Sequence, residues 1–269
     1  MKLLIDVGNT RIKLGWVRNG LRESQSLALG HHEIDRLSDW LEQLATRPSA
    51  AIGVNVAGPY IAEAIDEIFT TQVNIETEWV HSQPQAAGVR NAYDHQQLGA
   101  DRWVSMLGLA TQITPGDDTP LLLASFGTTT TIDTLEPTGS SETNTAAVFL
   151  GGLILPGPLL MTNSLATGTA RLPVADSPAA AFPLHTHEAI SSGIAAAQTG
   201  ALLRQWREVL DRHGRAPRLF SSGGGWPLVE SEMHRTVARA QADLGLAQQP
   251  IHWLPSPVLD GLAQLAVAA

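Results

Sequence analysis

The stretch Leu3-Leu4-Ile5-Asp6-Val7-Gly8-Asn9-Thr10-Arg11-Ile12-Lys13-Leu14 runs an apolar strand into an acidic residue, a glycine and small polar side chains. A second strand then begins, with Ile12, Leu14 and Trp16 on one face. Such a strand–turn–strand presents backbone N–H groups and two polar side chains at its tip. The residue set suits a polyphosphate: Gly8 for close approach, Asn9 and Thr10 as donors, Lys13 as counter-charge and Asp6 for a hydrated Mg²⁺. The same residues also describe a tight hairpin with a polar tip. Lys13 between Ile12 and Leu14 suits a solvated strand face equally well. Leu121 to Asp133 repeats the arrangement, with an apolar strand, Gly127, the hydroxyls Thr128 to Thr131 and a second strand. Thr128, nearest the glycine, is the better phosphate donor of that run. Gly99-Ala100-Asp101-Arg102 precedes Trp103, Met106, Leu107 and Ala110 at helical spacing, which puts Asp101 and Arg102 at a helix start. His185 and His187 flank Thr186 but lack the carboxylate–histidine spacing of a metal site.

The elements that must position these residues read clearly from the pattern. Arg18-Asn19-Gly20 offers the Asn-Gly pair of a type I′ turn, with a third strand from Arg22 to Leu29. Ile34, Leu37, Leu41 and Leu44 mark an amphipathic helix ending before Pro48, Ala50 to Val56 a buried strand, and Pro59 a helix start with Ile61, Ala64, Ile65 and Ile68 inward. Val73, Ile75, Thr77 and Trp79 alternate as a further strand, and His81 to Leu98 is a long polar loop of the length that usually serves function. Thr114-Pro115-Gly116-Asp117-Asp118 is the best boundary, dividing the chain into 1–117 and 118–269. Past it, Glu136-Pro137-Thr138-Gly139 supplies a turn and Ala146 to Leu150 a third strand. Gly151 to Gly157 reads as a loop and Pro158 as a helix start. A long helix from Thr186 to His213 follows, then a strand from Arg218 to Ser221. Gly223-Gly224-Gly225 leads into a helix from Pro227 to Asp243, and a short strand precedes a closing helix from Pro257 to Ala268. Both halves thus open with a strand–glycine–hydroxyl hairpin in the same element order, an internal duplication. Sheets with helices on their faces and a cleft between halves would bring both hairpin tips to one ligand.

The chain has 269 residues, 43% of them hydrophobic, which fits one large domain or two of ordinary size. No apolar run approaches the ~20 residues that span a bilayer, and Asp6 interrupts the N-terminal run before a signal-peptide core forms. Without cysteine there are no disulfides, thiolate metal sites or cysteine nucleophiles. A net charge of −9 with no lysine- or arginine-rich run argues against nucleic acid as a partner. The expectation is a cytoplasmic protein that binds neither membrane nor nucleic acid.

Several of these motifs together resemble the type III pantothenate kinases, a family of the acetate/sugar kinase, heat-shock chaperone and actin superfold. Asp6-Val7-Gly8-Asn9-Thr10-Arg11-Ile12-Lys13 is similar to the family's first phosphate motif, and Gly99-Ala100-Asp101-Arg102 to its GADR signature, the most specific of the set. Tyr93 matches the tyrosine upstream of that signature. Gly127-Thr128 resembles the second phosphate motif, Gly151-Gly152 with Pro156-Gly157 the GGxxxPG loop, Thr186 with Ser192-Gly193 the T-x-x-x-x-x-S-G stretch, and Ser222-Gly223-Gly224 the adenosine-side glycines. The resemblance implies an α/β fold of two duplicated ribonuclease H-like (actin-like ATPase) domains, each a mixed five-stranded sheet with helices on both faces. It implies ATP-dependent phosphorylation of pantothenate at the start of coenzyme A biosynthesis, by a homodimer with shared active sites. It further implies that Asp101 is the base and that Tyr93, Gly99, Ala100, Asp101, Arg102 and Thr186 contact pantothenate. ATP would lie along Asp6 to Lys13 and at Thr128.

One departure stands out. Many members carry an aspartate that binds a monovalent cation, K⁺ or NH₄⁺, where this chain has Ser125, and a neutral hydroxyl is a weak ligand. That cation site is not carried over, although Asp133 offers a carboxylate elsewhere in the second hairpin. For Asp101 the plain alternative is a helix cap. An ordinary aspartate, with a pKa of about 3.9, is a weak base. A loose phosphoryl-transfer transition state tolerates that, because the hydroxyl needs orienting more than full deprotonation. Arg102 fits the carboxylate of pantothenate in bidentate geometry, the alternative being a surface ion pair. The rival functions are another small-molecule kinase or nucleotide hydrolase of the superfold, or a non-enzymatic transcription accessory protein. Phosphate motifs that are intact apart from Ser125 favour an enzyme.

Overall fold

A computed structural model of the chain describes residues 1–139 and 145–268. They form two compact units. The first comprises Met1–Gly116, Thr138–Phe149 and Ser256–Ala269, and the second Asp117–Pro137 and Leu150–Pro255.

In the first unit β1 (Lys2–Val7) pairs antiparallel with β2 (Arg11–Arg18) and parallel with β5 (Ala50–Asn55). The order is β3-β2-β1-β5-β6, with β3 at Leu21–Arg22 and β6 at Thr77–Trp79, and β4 (Leu27–Gly30) pairs with β2 off that path. Alternation along β1 assigns the two faces. Leu3, Ile5 and Val7 join Ile12, Leu14, Leu37, Ile61, Ile65 and Phe69 in one core beneath α1 (Arg36–Glu42) and α2 (Pro59–Val73). The other face carries α3 (Ala100–Ala110) and the closing helix α7 (Pro257–Ala268). These two helices cross at glycine. A Cβ at Gly108 would overlap the Pro257 carbonyl, and one at Gly261 the Val104 carbonyl. Backbone-to-backbone approach therefore locks α3 in place, with Arg102 to Leu109 all buried.

β9 (Leu121–Phe126) pairs antiparallel with β10 (Thr129–Pro137) and parallel with β12 (Arg218–Ser222), in a seven-stranded sheet of order β13-β12-β9-β10-β11-β8-β7, with β7 at Gln85–Ala86 and β8 at Val89–Asn91. β11 is Ala147–Pro156 and β13 Ile251–Trp253. Within this sheet the run β11-β10-β9-β12-β13 repeats the first sheet's order β3-β2-β1-β5-β6, so the duplication read from the sequence is a duplication in space. Leu122, Ala124, Phe126 and Ile132 pack against Leu202, Trp206 and Val209 of α5 (Thr186–His213) and Met233 and Val237 of α6 (Glu230–Asp243). α4 (Pro158–Gly168) packs on α5.

The element boundaries differ from the sequence reading in instructive ways. Val73 and Ile75 are not a strand: α2 runs through Val73, and Asn74 closes it in the left-handed conformation at φ 55. The third strand splits into β3 and β4, and Asn19 and Gly20, at φ 53 and 77, form the expected type I′ turn. The polar stretch from His81 holds a small hairpin, β7 (Gln85–Ala86) and β8 (Val89–Asn91), turned at Ala87 and Gly88. Gly151 to Pro156 is strand rather than loop, because β11 continues to Pro156. The helix expected from Pro227 begins as a 3-10 turn, Trp226–Leu228, before α6.

Candidate active site

The first hairpin is built from the core outward. Val7 and Ile12 are fully buried, so they anchor the turn and can offer a ligand only backbone groups. Gly8 N–H donates to the Arg11 carbonyl at 3.0 Å, closing the turn and leaving Asn9, Thr10 and Arg11 exposed. Asp6 and Lys13 lie directly opposite each other across the β1–β2 pair, on the sheet face that carries α3. Burial pushes the Asp6 carboxyl up to about 6; Lys13 opposes that rise and the charge of Asp101 adds to it. One side chain that the sequence reading passed over also reaches the turn. His31, in the 3-10 turn His31–Glu33 after β4, places Nε2 2.8 Å from the Gly8 carbonyl.

The second group of sequence-predicted residues is organised by the start of α3. Trp103 N–H donates to the Gly99 carbonyl at 3.1 Å, and Asp101 Oδ1 accepts from the Arg102 N–H at 2.8 Å. Burial raises the Asp101 pKa, the Arg102 N–H and the Arg102 charge both working against it. Gly99 has an ordinary φ of −58, so its small size matters rather than its flexibility. A Cβ there would stand 2.7 Å from Asp101 Oδ1 and displace the carboxylate.

Arg102 is buried, with 7% of its surface exposed, which excludes the reading as a surface ion pair. Its guanidinium carbon lies 5.4 Å from the Tyr93 ring centre and 6.0 Å from that of Phe149. Tyr93 and Phe149 stack at 6.2 Å with 12° between their planes. Asn91 Oδ1 accepts from the Tyr93 N–H, and the Ala92 N–H donates to the Phe149 carbonyl, each at 3.0 Å. The only sequence signal for Phe149 was its place at the end of an apolar strand just before Gly151-Gly152. That pattern says core and nothing about Tyr93.

The second unit repeats the turn with different chemistry. Gly127 N–H donates to the Thr129 carbonyl at 3.0 Å, and Gly157 N–H donates to the Thr128 carbonyl, also at 3.0 Å. Where Asp6 faces Lys13, Ser125 faces Thr131 on one side and Ser222 on the other, a row of hydroxyls across three strands. Asp133 is buried, with 2% exposed, and packs against Gly152. Gly223, at φ +93, abuts the Phe126 backbone, and Gly225 N–H donates to the Phe126 carbonyl at 2.8 Å. Thr186 is exposed at the start of α5, beside an apolar cavity of about 370 Å³ lined by Met161, Leu165, Leu172, Ile190 and Ile194.

The structure therefore gathers Asp6, Lys13, Tyr93, Gly99, Ala100, Asp101 and Arg102 in the first unit, whereas Thr128 and Thr186 belong to the second. Among the described residues no three histidines or carboxylates cluster as a metal centre. His187 instead pairs with Asp176 at 3.2 Å on the surface. No helix among the described residues is long and apolar enough to cross a membrane.

Comparison with known proteins adds an independent line. A family model described as type III pantothenate kinase matches residues 2–208. A type III pantothenate kinase of Bordetella petrii is 48% identical over 267 residues, covering 99% of this chain and 97% of the relative. Among solved structures, a candidate 2-dehydro-3-deoxygalactonokinase from Sinorhizobium meliloti superposes with a TM-score of 0.57 at 14% identity, covering 100% of this chain and 98% of that one. An exopolyphosphatase-like protein gives 0.55 at 13% identity, covering 99% and 98%. At such identity the structural matches speak for the fold, that of the actin-like ATPases.

Proposed function

The chain belongs to the type III pantothenate kinase family, and on that premise we propose that Asp101 is the group that orients the primary hydroxyl of pantothenate and takes its proton. The hydroxyl oxygen attacks the γ-phosphorus of ATP, its bond to ADP breaks, and 4′-phosphopantothenate and ADP result. The observation that carries this reading is the Asp101 carboxylate itself. The Arg102 N–H pins it at 2.8 Å, burial raises its pKa, and the charge of Asp6 on the phosphate hairpin interacts with it. A raised pKa makes it a better base than an ordinary aspartate, and a fixed carboxylate orients the hydroxyl for in-line attack.

ATP would meet the turn from Asp6 to Lys13, with Thr128 as a second phosphate donor. Tyr93, Gly99, Ala100, Arg102 and Thr186 would hold pantothenate, Arg102 at its carboxylate. The residues fit a hydrated Mg²⁺ at Asp6, since a carboxylate held near pKa 6 by burial and a neighbouring negative charge gains from a cation. When bound, Mg²⁺ neutralises charge on the phosphates. A monovalent cation does not fit: Ser125, Thr131 and Ser222 supply only neutral hydroxyls, and Asp133 is buried against Gly152.

The protein would act in the cytoplasm as a homodimer. Exposed Ile154, Leu159, Leu160, Phe182 and Leu184 in the second unit support the dimer, and light scattering at twice the 28.7 kDa chain mass would check it. The central test is a coupled ADP assay. Activity should rise on adding pantothenate and stay level on adding K⁺ or NH₄⁺. No response to pantothenate rejects the proposed reaction.

A further inference from the structure

We propose that His31 is a positioning residue for the nucleotide, holding the first phosphate turn in its binding conformation; this rests on the placement of ATP proposed above. The Gly8 carbonyl can only accept, so His31 Nε2 must carry the proton in their 2.8 Å contact. The carbonyl of Gly8 and the N–H of Asn9 share one trans peptide plane and point opposite ways. Fixing the carbonyl toward His31 therefore fixes the Asn9 N–H in the opposite direction, as a donor at the exposed tip.

The imidazole is itself well placed to do this. Gly30, just before it, pairs with Arg11 across β4 and β2, which brings the 3-10 turn alongside the hairpin. Glu33 Oε2 accepts from the Gly30 N–H at 2.8 Å, and Glu33 pairs with Arg36 at 2.5 Å, so the turn is braced from below.

The second unit supports the inference independently. There the Thr128 carbonyl is held by the Gly157 N–H at 3.0 Å, and Gly157 directly follows β11, as His31 directly follows β4. Both turns thus have one carbonyl tied down by the residue that follows a neighbouring strand, the glycine's own in the first and that of the residue after the glycine in the second. In the second unit a backbone N–H does it, and the approach is so close that a Cβ at 157 would overlap the Gly127 carbonyl. In the first unit a side chain, the His31 imidazole, does it.

The test is steady-state kinetics on His31→Ala, His31→Gln and Thr10→Ala in the full-length protein. Loss of one hydrogen bond predicts a rise of roughly three- to tenfold in KM for ATP for His31→Ala, with KM for pantothenate within about twofold of wild type. His31→Gln, whose amide N–H reaches about as far as Nε2, should return KM for ATP to within about twofold. A histidine that merely supports the fold would move both KM values and lower Tm without rescue by glutamine, and that result overturns the inference. So does a KM for ATP unchanged in His31→Ala while Thr10→Ala raises it. If neither variant moves KM for ATP, the assignment of phosphate to this hairpin falls as well.

Discussion

The two hairpins share a strand arrangement and differ in charge, and the first turn is one residue longer. Asp6 in the first unit and Ser125 in the second occupy the same place, one residue before the last of an apolar strand and two before the glycine. Across the antiparallel partner Asp6 meets Lys13, whereas Ser125 meets Thr131. Across the parallel partner Asp6 meets Val54 and Ser125 meets Ser222. Neighbours of this kind have Cβ atoms about 4.5–5.5 Å apart, so each set works as one surface. The first sets a carboxylate opposite an ammonium group, with the charge of Asp101 acting on Asp6; the second is a neutral row of hydroxyls. Duplication preserved the strand order and the glycine that opens each turn. The charged pair sits in the unit that also carries α3, as the proposed division of roles requires.

If that division is right, the largest loss comes from the first unit. Asp101→Asn keeps the size and the contact with the Arg102 N–H but cannot take a proton. We expect kcat to fall by about 10²–10⁴-fold, with both KM values within a few-fold of wild type. A near-wild-type rate would remove Asp101 as the base.

Asp6→Asn should separate stability from activity. The folded-state pKa of Asp6 is about 6 against an ordinary value of 3.8, so the folded protein favours the protonated form. Its contribution to stability is greatest below pH 3.8 and is lost as pH rises through 6, which leaves the ionised side chain a cost at pH 7. Asparagine removes that cost. Thermal unfolding at pH 7 should therefore rise by a few degrees, at about 1 kcal/mol after allowing for solvent at this half-buried group. Over the same substitution kcat/KM for ATP should drop by roughly tenfold, as one phosphate-side charge is lost. Wild-type kcat/KM should fall as pH drops through 6, and the variant should lose that inflection. A variant that is both less stable and pH-dependent in the same way contradicts the description of Asp6.

Ser125→Asp tests the neutral side of the comparison by making the second hairpin resemble the first. Without a lysine opposite it, a carboxylate there faces phosphate uncompensated. KM for ATP should rise several-fold, and K⁺ or NH₄⁺ should recover much of it. The wild-type enzyme should ignore both ions. Activation of the wild type by K⁺ would show that hydroxyls alone suffice for the cation.

The sequence disclosed the duplicated turns and the α3 start because each rests on local pattern: glycine beside hydroxyls after an apolar strand, and Asp101-Arg102 ahead of a helical period. It was silent where the cause is tertiary. Val73 and Ile75 alternate like a strand, yet a left-handed Asn74 ends a helix there, and both side chains join the same core. β11 extends through the glycines to Pro156 because sheet pairing overrides local propensity. His31 carries no periodic signal at all; only the pairing of Gly30 with Arg11 brings it to Gly8. For Arg102 the sequence allowed a surface ion pair, and only the two rings at 5.4 and 6.0 Å show how it is buried.

Those rings suggest the smallest and most selective effect. Phe149 is fully buried and cannot touch a ligand, yet it stacks on Tyr93 and flanks the Arg102 guanidinium. Phe149→Leu keeps apolar volume but removes the flat face. The lost ring–ring and cation–ring contacts are worth about 1–2 kcal/mol together, part of which appears as a general loss of stability. The remainder should loosen Tyr93 and Arg102 and raise KM for pantothenate by roughly two- to fivefold, with KM for ATP unchanged. The ring contacts of this stack are all among Arg102, Tyr93 and Phe149, on the side proposed for pantothenate, so KM for ATP supplies the internal control. A parallel rise in both constants would mean that Phe149 supports the unit as a whole. A rise confined to pantothenate would tie the acceptor residues to a support that the first hairpin does not share.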